Sequence, residues 1–180
     1  MQTMKYFDSQ KLRNTLNKIA LFIATYESLS DFVIKNVQFF YCRGVINKKL
    51  ILQDYTDKVL HKYKKEGKTD HLYSCLYWFL DNDVISQQDL DFILDMRNLR
   101  NKFVHEMSDY VLNGIPKELN YWHNDLLKIY KKISTWWIKN IEIEINDDIT
   151  KGTDAKDITD TMNPMLVFLD LLTSICNETK

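Results

Sequence analysis

The residues best suited to chemistry lie in one short segment of the chain, from Arg97 to His105. Arg97, Asn101 and His105 follow one another at a spacing of four residues, so a helix places them on nearly the same face. Arg100 lies about 140° around that helix from His105, but its long side chain can reach back toward Asn101. A guanidinium binds two phosphate oxygens and stays charged, and an unperturbed imidazole transfers protons near neutral pH. This face, with Lys102 beside it, therefore predicts a site for phosphate chemistry.

The six residues from Arg100 to His105, RNKFVH, resemble the R-x4–6-H motif of the HEPN superfamily, in which a polar residue commonly follows the Arg. Members of that superfamily are small α-helical bundles that carry the motif on a late helix, and many dimerise with two motifs face to face. The resemblance implies a metal-independent endoribonuclease of the toxin–antitoxin, abortive-infection or antiviral kind. It also implies His105 as general acid/base, Arg100 as phosphate binder and Asn101 as polar organiser.

The implied reaction is chemically reasonable without a metal, because RNA carries its own nucleophile, the 2′-OH. A base near that hydroxyl and a positive charge near the phosphate suffice for in-line attack, which leaves a 2′,3′-cyclic phosphate and a 5′-OH. Products with 3′-OH ends would contradict the hypothesis. The predicted site thus comprises catalytic Arg100, Asn101 and His105 and substrate-binding Arg97 and Lys102, with no metal and no cofactor.

Two positions near the motif affect how the site is interpreted: one argues against a form of regulation, and the other has two possible roles. Subfamilies silenced by nucleotide transfer carry a Tyr two residues after the His, whereas this chain has Met107 there, so that form of regulation is not supported. Arg97 has two interpretations: a second phosphate ligand beside Asn101, or an ion pair with Asp95 or with another acid across the fold. The sequence also leaves open whether a second copy of the helix completes the site across a dimer.

Composition predicts the fold class that must position these residues. Only four Gly and two Pro occur among 180 residues, too few for a β-sandwich or β-barrel with frequent turns. No apolar run is long enough to span a membrane, and no secretory signal is visible at the N-terminus. The three Cys are widely spaced, which suggests a reducing cytoplasm and no zinc site. We expect an all-α protein in the cytoplasm, without a membrane partner.

Hydrophobic spacing predicts an antiparallel bundle of about five helices over residues 1–140. Residues 141–180 are expected to add an acidic segment and an extra helix packed on the bundle. Alternation of Ile with polar residues over 141–145 predicts a short strand, and the acidic residues 146–161 predict a loop. Ser86 and Asp89 form a predicted capping box at the start of the fourth helix. The expected helices span about residues 9–41, 48–65, 69–80, 86–112, 116–140 and 164–177.

Charge is distributed unevenly along the chain, although the formal net charge is −1. A lysine cluster in the first 70 residues contains Lys58, Lys62, Lys64, Lys65 and Lys68. Such a cluster is either a phosphate-attracting surface or an ordinary solvated lysine face. Outside the motif, the histidines stand alone and the aromatic pairs at 121–122 and 136–137 are expected to pack, not to stack on bases.

Three functional hypotheses follow from the sequence. The first is a HEPN-like endoribonuclease with RNA as substrate, an expected homodimer, acting in phage defence or as a toxin with an antitoxin or a phage-derived activator as partner. The alternative is a catalytically inactive HEPN-like module that binds RNA or a protein. The third is a helical adaptor in which Arg100 and His105 are ordinary polar residues.

Overall fold

The computed structural model describes residues 8–143 and 163–178, and these are mostly helical, in agreement with the all-α prediction. A two-stranded antiparallel hairpin interrupts the helices near the N-terminal end. The elements are α1 (Ser9–Phe40), β1 (Val45–Ile46), β2 (Lys49–Leu50), α2 (Gln53–Tyr55) with a π-helical turn (Thr56–Leu60), α3 (His71–Asp81), α4 (Gln87–His105), α5 (Met107–Asn113), α6 (Leu119–Trp137) with a π-helical turn (Ile138–Glu142), and α7 (Pro164–Glu178).

Helix α1 is the element against which most of the others pack. Asp8 caps its first turn by accepting hydrogen bonds from the backbone N–H groups of Gln10 and Lys11. One face of α1 is fully buried and contacts α3, α4, α6 and α7. Long apolar side chains at helical spacing thus give a central helix, as the periodicity predicts. The buried face includes Ile19, Phe22, Leu29, Val33 and Val37.

Helix α4 begins at the predicted capping box and carries the motif. The Ser86 backbone N–H donates to the Asp89 carboxylate at 2.9 Å, and the Asp89 N–H donates to the Ser86 hydroxyl at 3.1 Å. Because one face of α4 is buried, the face that carries the motif points toward solvent. The prediction that this helix continues to residue 112 is wrong, because the chain leaves helical geometry at Glu106 and restarts as α5. His105 is therefore the last residue of α4.

The predicted second helix, residues 48–65, is wrong in its first and last turns. Asn47 and Lys48 both have positive φ, 50° and 62°, which is the geometry of a tight hairpin turn and returns the chain along β1. Helical backbone begins only at Gln53 and ends at Leu60. Residues 65–68 form a second tight turn, closed by reciprocal backbone hydrogen bonds between Lys65 and Lys68.

The C-terminal predictions have mixed outcomes. Helix α6 begins at Leu119, three residues after the predicted start at Pro116, because the Leu119 N–H closes a turn onto the Pro116 carbonyl. Ile141 and Glu142 belong to the helical end of α6, so the predicted strand is wrong over residues 141–143. The acidic loop at 146–161 lies outside the described residues. Helix α7 is close to the predicted 164–177 and packs on α1. Within residues 8–143 and 163–178, no helix is long and apolar enough to cross a membrane.

Candidate active site

The structure brings Arg100 and Asn101 together, as the reach of the Arg side chain predicts. The Arg100 Nη1 donates a hydrogen bond to the Asn101 side-chain oxygen at 3.1 Å. The same guanidinium donates from Nε to the carboxylate of Glu27 on α1. Its other terminal nitrogen, Nη2, makes no hydrogen bond with the part of the chain described. The guanidinium is thus oriented by two acceptors, and its Nη2 group keeps its donors for a ligand.

Glu27 is the residue of this site that sequence reasoning missed. It lies 73 positions before Arg100, in a mixed stretch of α1 between the buried Tyr26 and Leu29. Both members of the Arg100–Glu27 pair are partly exposed, so water weakens their attraction and a phosphate can compete for the guanidinium. A single sequence offers no signal that pairs two residues so far apart.

Arg97 forms an ion pair across the fold and is not joined to Asn101. Its Nη1 donates to the Asp70 carboxylate at 2.5 Å, and Asp70 also caps α3 by accepting from the Tyr73 N–H. Burial opposes ionisation of Asp70, but the hydrogen bonds from Arg97 and Tyr73 outweigh it and lower the pKa of that carboxyl. Of the two interpretations of Arg97, the structure shows the ion pair, and its partner is an acid across the fold, Asp70, and not Asp95. Arg97 nevertheless stays partly exposed beside Asn101.

His105 and Lys102 are exposed at the C-terminal end of α4. The His105 imidazole makes no hydrogen bond or ion pair with a described residue, so the structure does not bring it to Arg100. Met107 and Val111 follow it in an apolar surface that continues onto α1. The arrangement therefore offers an oriented guanidinium–amide pair and, one turn further along, an accessible imidazole.

The remaining histidines have packing or surface roles. His61 is exposed beside Asp57, and His71 accepts or donates a hydrogen bond at 2.8 Å with the buried Tyr55 hydroxyl. Among the described residues, no group of three His, Cys, Asp or Glu side chains is placed to hold a metal ion. The aromatic pair Trp136–Trp137 packs against Trp78, as expected of core residues.

Buried His123 joins α6 to α1. The Thr25 hydroxyl donates to the Leu21 carbonyl at 2.9 Å, so it accepts from the His123 Nε2–H at 2.9 Å and selects that tautomer. His123 is 6% exposed. Burial lowers its pKa to about 4, although the charge of Asp170 opposes the shift.

Acid is expected to destabilise the protein through His123. The unfolded chain binds a proton near pH 6.5 and the folded chain only near pH 4, so stability falls as the pH drops through this window. The loss between pH 7.5 and pH 5 should be about 2 kcal/mol. In urea unfolding, the free energy of unfolding of His123→Gln should fall between pH 7.5 and pH 5 by less than that of the parent, and the difference should equal this amount. The exposed variant His61→Gln should show the same pH dependence as the parent. Equal slopes in His123→Gln and the parent would contradict the assignment.

Comparison of the chain with protein-family models, with curated proteins and with solved structures gives no match. The candidate site therefore rests on the chain's own geometry. Arg100 can bind a phosphate through Nη2, Asn101 can hold a substrate oxygen or amine, and His105 can accept or donate a proton. These three groups can supply the base and the charge stabilisation that phosphodiester cleavage without a metal requires, and the acid for the leaving group has to come from elsewhere.

Proposed function

We propose that the chain is a metal-independent endoribonuclease of the HEPN type, with its active site on the exposed face of α4. The observation that supports the proposal is the partly exposed Arg100 guanidinium, which is held by Glu27 and Asn101 and keeps the donors of Nη2 for a ligand. The all-α architecture and the resemblance of the RNKFVH segment to the HEPN motif support it. The proposed arrangement of the helices is the antiparallel bundle of that superfamily. We further propose that the protein is cytoplasmic and acts in phage defence or in a toxin–antitoxin system, with an antitoxin or a phage-derived activator as its partner.

The proposed reaction uses the 2′-OH of RNA as nucleophile. His105 removes the 2′-OH proton while the 2′ oxygen attacks the phosphorus, and the bond from phosphorus to the 5′ oxygen breaks. Arg100 balances the charge that builds up on the phosphate oxygens, and Asn101 keeps the guanidinium in position. Arg97 and Lys102 bind neighbouring phosphates of the substrate. The leaving 5′ oxygen takes a proton from a second acid.

A homodimer supplies that second acid in the proposal. Met107, two residues after His105, belongs to an exposed apolar surface, a depression of about 470 Å³ between α1 and α5. Burying such a surface against a second copy is favourable and brings two motifs together. We call it the α1/α5 surface; its apolar residues are Leu12, Leu16, Met107, Val111 and Leu112.

A charged residue introduced on the α1/α5 surface is expected to dissociate the proposed homodimer. Leu112 is 61% exposed, so Leu112→Lys leaves the fold intact but places an ammonium in the proposed interface. The dimer dissociation constant should rise at least about tenfold in sedimentation analysis, because one buried leucine contributes more than 1.4 kcal/mol. Val45→Lys, on the hairpin and 62% exposed, is the matched control. A parent protein that sediments as a monomer, or an unchanged constant in Leu112→Lys, would contradict the proposed interface.

The function is tested by incubating the purified protein with RNA in excess EDTA. Cleavage by the parent protein and none by His105→Ala would support the nuclease. Binding of RNA that weakens steeply with salt, without cleavage, would support the inactive binding module instead. That second function is favoured by the ion pairs that already engage Arg97 and Arg100. Neither cleavage nor binding would favour the adaptor hypothesis.

A further inference from the structure

A narrow cleft of about 140 Å³ lies where α1, α6 and α7 meet. None of the residues that line it belongs to α4, so it is separate from the candidate active site. A cavity of about 150 Å³ holds a molecule the size of benzene, which has about six heavy atoms. We call this opening the α7 cleft. Five of its lining residues carry the argument: Lys18, Leu21, Leu119, His123 and Thr173.

The most buried polar group of the α7 cleft is the His123 imidazole, which is 6% exposed. Its Nε2–H is donated to the Thr25 hydroxyl, so Nδ1 carries a lone pair, and Nδ1 makes no hydrogen bond with a described residue. Among the described residues, the fully buried side-chain nitrogen and oxygen atoms without a partner are the hydroxyl oxygens of Tyr26 and Ser30. The Nδ1 of His123 is therefore unbonded yet accessible, and the α7 cleft is the opening that its ring lines.

A second acceptor in the α7 cleft is the Thr173 hydroxyl. It donates its proton to the Leu169 carbonyl of its own helix at 2.7 Å, so only its lone pairs remain for a ligand. Two groups that accept and donate nothing select a ligand with a hydrogen-bond donor. That donor has to be uncharged, because burial lowers the pKa of His123 to about 4 and so disfavours a positive charge at this position. A hydroxyl group meets both conditions.

Lys18 makes the α7 cleft positive. This lysine is half-buried and forms no ion pair with a described residue, whereas Lys131 nearby is bound to Asp170 at 2.7 Å. None of the described residues that line the cleft is an Asp or a Glu. An unpaired ammonium beside a polar cleft attracts an anion. The buried side chains of Leu21 and Leu119 add an apolar wall, which suits the carbon chain of an organic anion.

We propose that the α7 cleft binds a small hydroxy acid, a carboxylate of about six heavy atoms that carries a hydroxyl group. The hydroxyl donates to the Nδ1 of His123, the carboxylate pairs with the ammonium of Lys18, and the carbon chain packs against Leu21 and Leu119. Inorganic phosphate also combines a hydroxyl with negative charge, but it has no carbon atom for the two leucines. The site does not depend on the proposed nuclease and stands whether or not α4 cuts RNA.

The test is a titration of the full chain, labelled with nitrogen-15 in its histidines, with L-lactate at pH 7.5. The Nδ1 resonance of His123, assigned through the bonds of its own residue, should move to saturation with a dissociation constant of about 1–10 mM. Propionate lacks the hydroxyl and should bind about tenfold more weakly, because it leaves the buried acceptor unpaired. L-Alanine carries an ammonium in place of the hydroxyl and should also bind more weakly than lactate.

One pair of variants assigns the anion to Lys18. Lys18→Met keeps the apolar stem and should weaken lactate binding at least about tenfold, since the ammonium is the only cation among the described lining residues. Lys11→Met, exposed on the same helix, is the matched control and should bind lactate like the parent.

Four results would overturn the inference. They are the absence of a saturable shift up to about 100 mM lactate, equal affinity for lactate and propionate, lactate binding that leaves the His123 resonance in place, and unchanged binding in Lys18→Met. Phosphate that binds more tightly than lactate would also overturn it, because the cleft would then be a site for an inorganic anion.

Discussion

His105→Ala is expected to lower the rate of RNA cleavage by about 10²- to 10⁴-fold, the usual contribution of a general acid or base. The imidazole is the proposed proton acceptor for the 2′-OH, and no neighbouring side chain on the face of α4 can replace it. The unfolding midpoint should stay within about one degree of the parent value, because His105 is exposed and unbonded at the end of α4. Single-turnover cleavage and thermal denaturation measure the two effects.

His61→Ala is the matched control for this variant, because His61 is also exposed but lies outside the site. It should cleave RNA at the parent rate. His105→Ala protein that keeps more than a tenth of the activity would remove His105 from the mechanism. A large fall in the unfolding midpoint would instead show a structural role for that residue.

Arg100→Lys is expected to lower kcat/KM by about 10- to 100-fold even though the positive charge is kept. The guanidinium reaches Glu27 with Nε and Asn101 with Nη1 at the same time, which leaves Nη2 as the donor for the phosphate. An ammonium is a point charge without a planar set of donors, so it cannot hold both acceptors and also donate to a phosphate in a fixed direction. Both Arg100 and Glu27 are partly exposed, so the change should cost little stability.

Two further substitutions separate orientation from charge. Glu27→Gln keeps an acceptor for Arg100 and should retain most of the activity, whereas Glu27→Ala removes it and should approach Arg100→Lys in effect. Arg13→Lys, exposed on α1, is the control for the loss of a guanidinium as such. Full activity in Arg100→Lys would show that charge alone suffices and that the Glu27 contact has no functional role.

Local signals in the sequence predicted local structure well. The apolar repeat gave α1 nearly to the residue, and the Ser86–Asp89 capping box gave the start of α4, because both depend on neighbours within a few positions. The hairpin at 45–50 was missed because its turn uses Asn47 and Lys48 at positive φ, without the Gly that usually marks such turns.

The sequence predicted only those contacts of the site that lie within a single helix. The meeting of Arg100 and Asn101 follows from α4 geometry alone and is confirmed. The partners supplied by other elements, Glu27 on α1 and Asp70 at the start of α3, depend on tertiary packing and were not predicted. The break at Glu106 places His105 at the end of α4, and no Gly or Pro in the sequence marks this break.

If α4 cuts RNA by transfer to the 2′ oxygen, the chemical identity of the product ends reveals it. One defined RNA is incubated with the parent protein in excess EDTA, and the fragments are analysed by mass spectrometry. We expect 2′,3′-cyclic phosphate and 5′-OH ends with the parent protein and none with His105→Ala. Fragments that carry 3′-OH and 5′-phosphate ends would contradict it, because water and not the 2′-OH would then be the nucleophile.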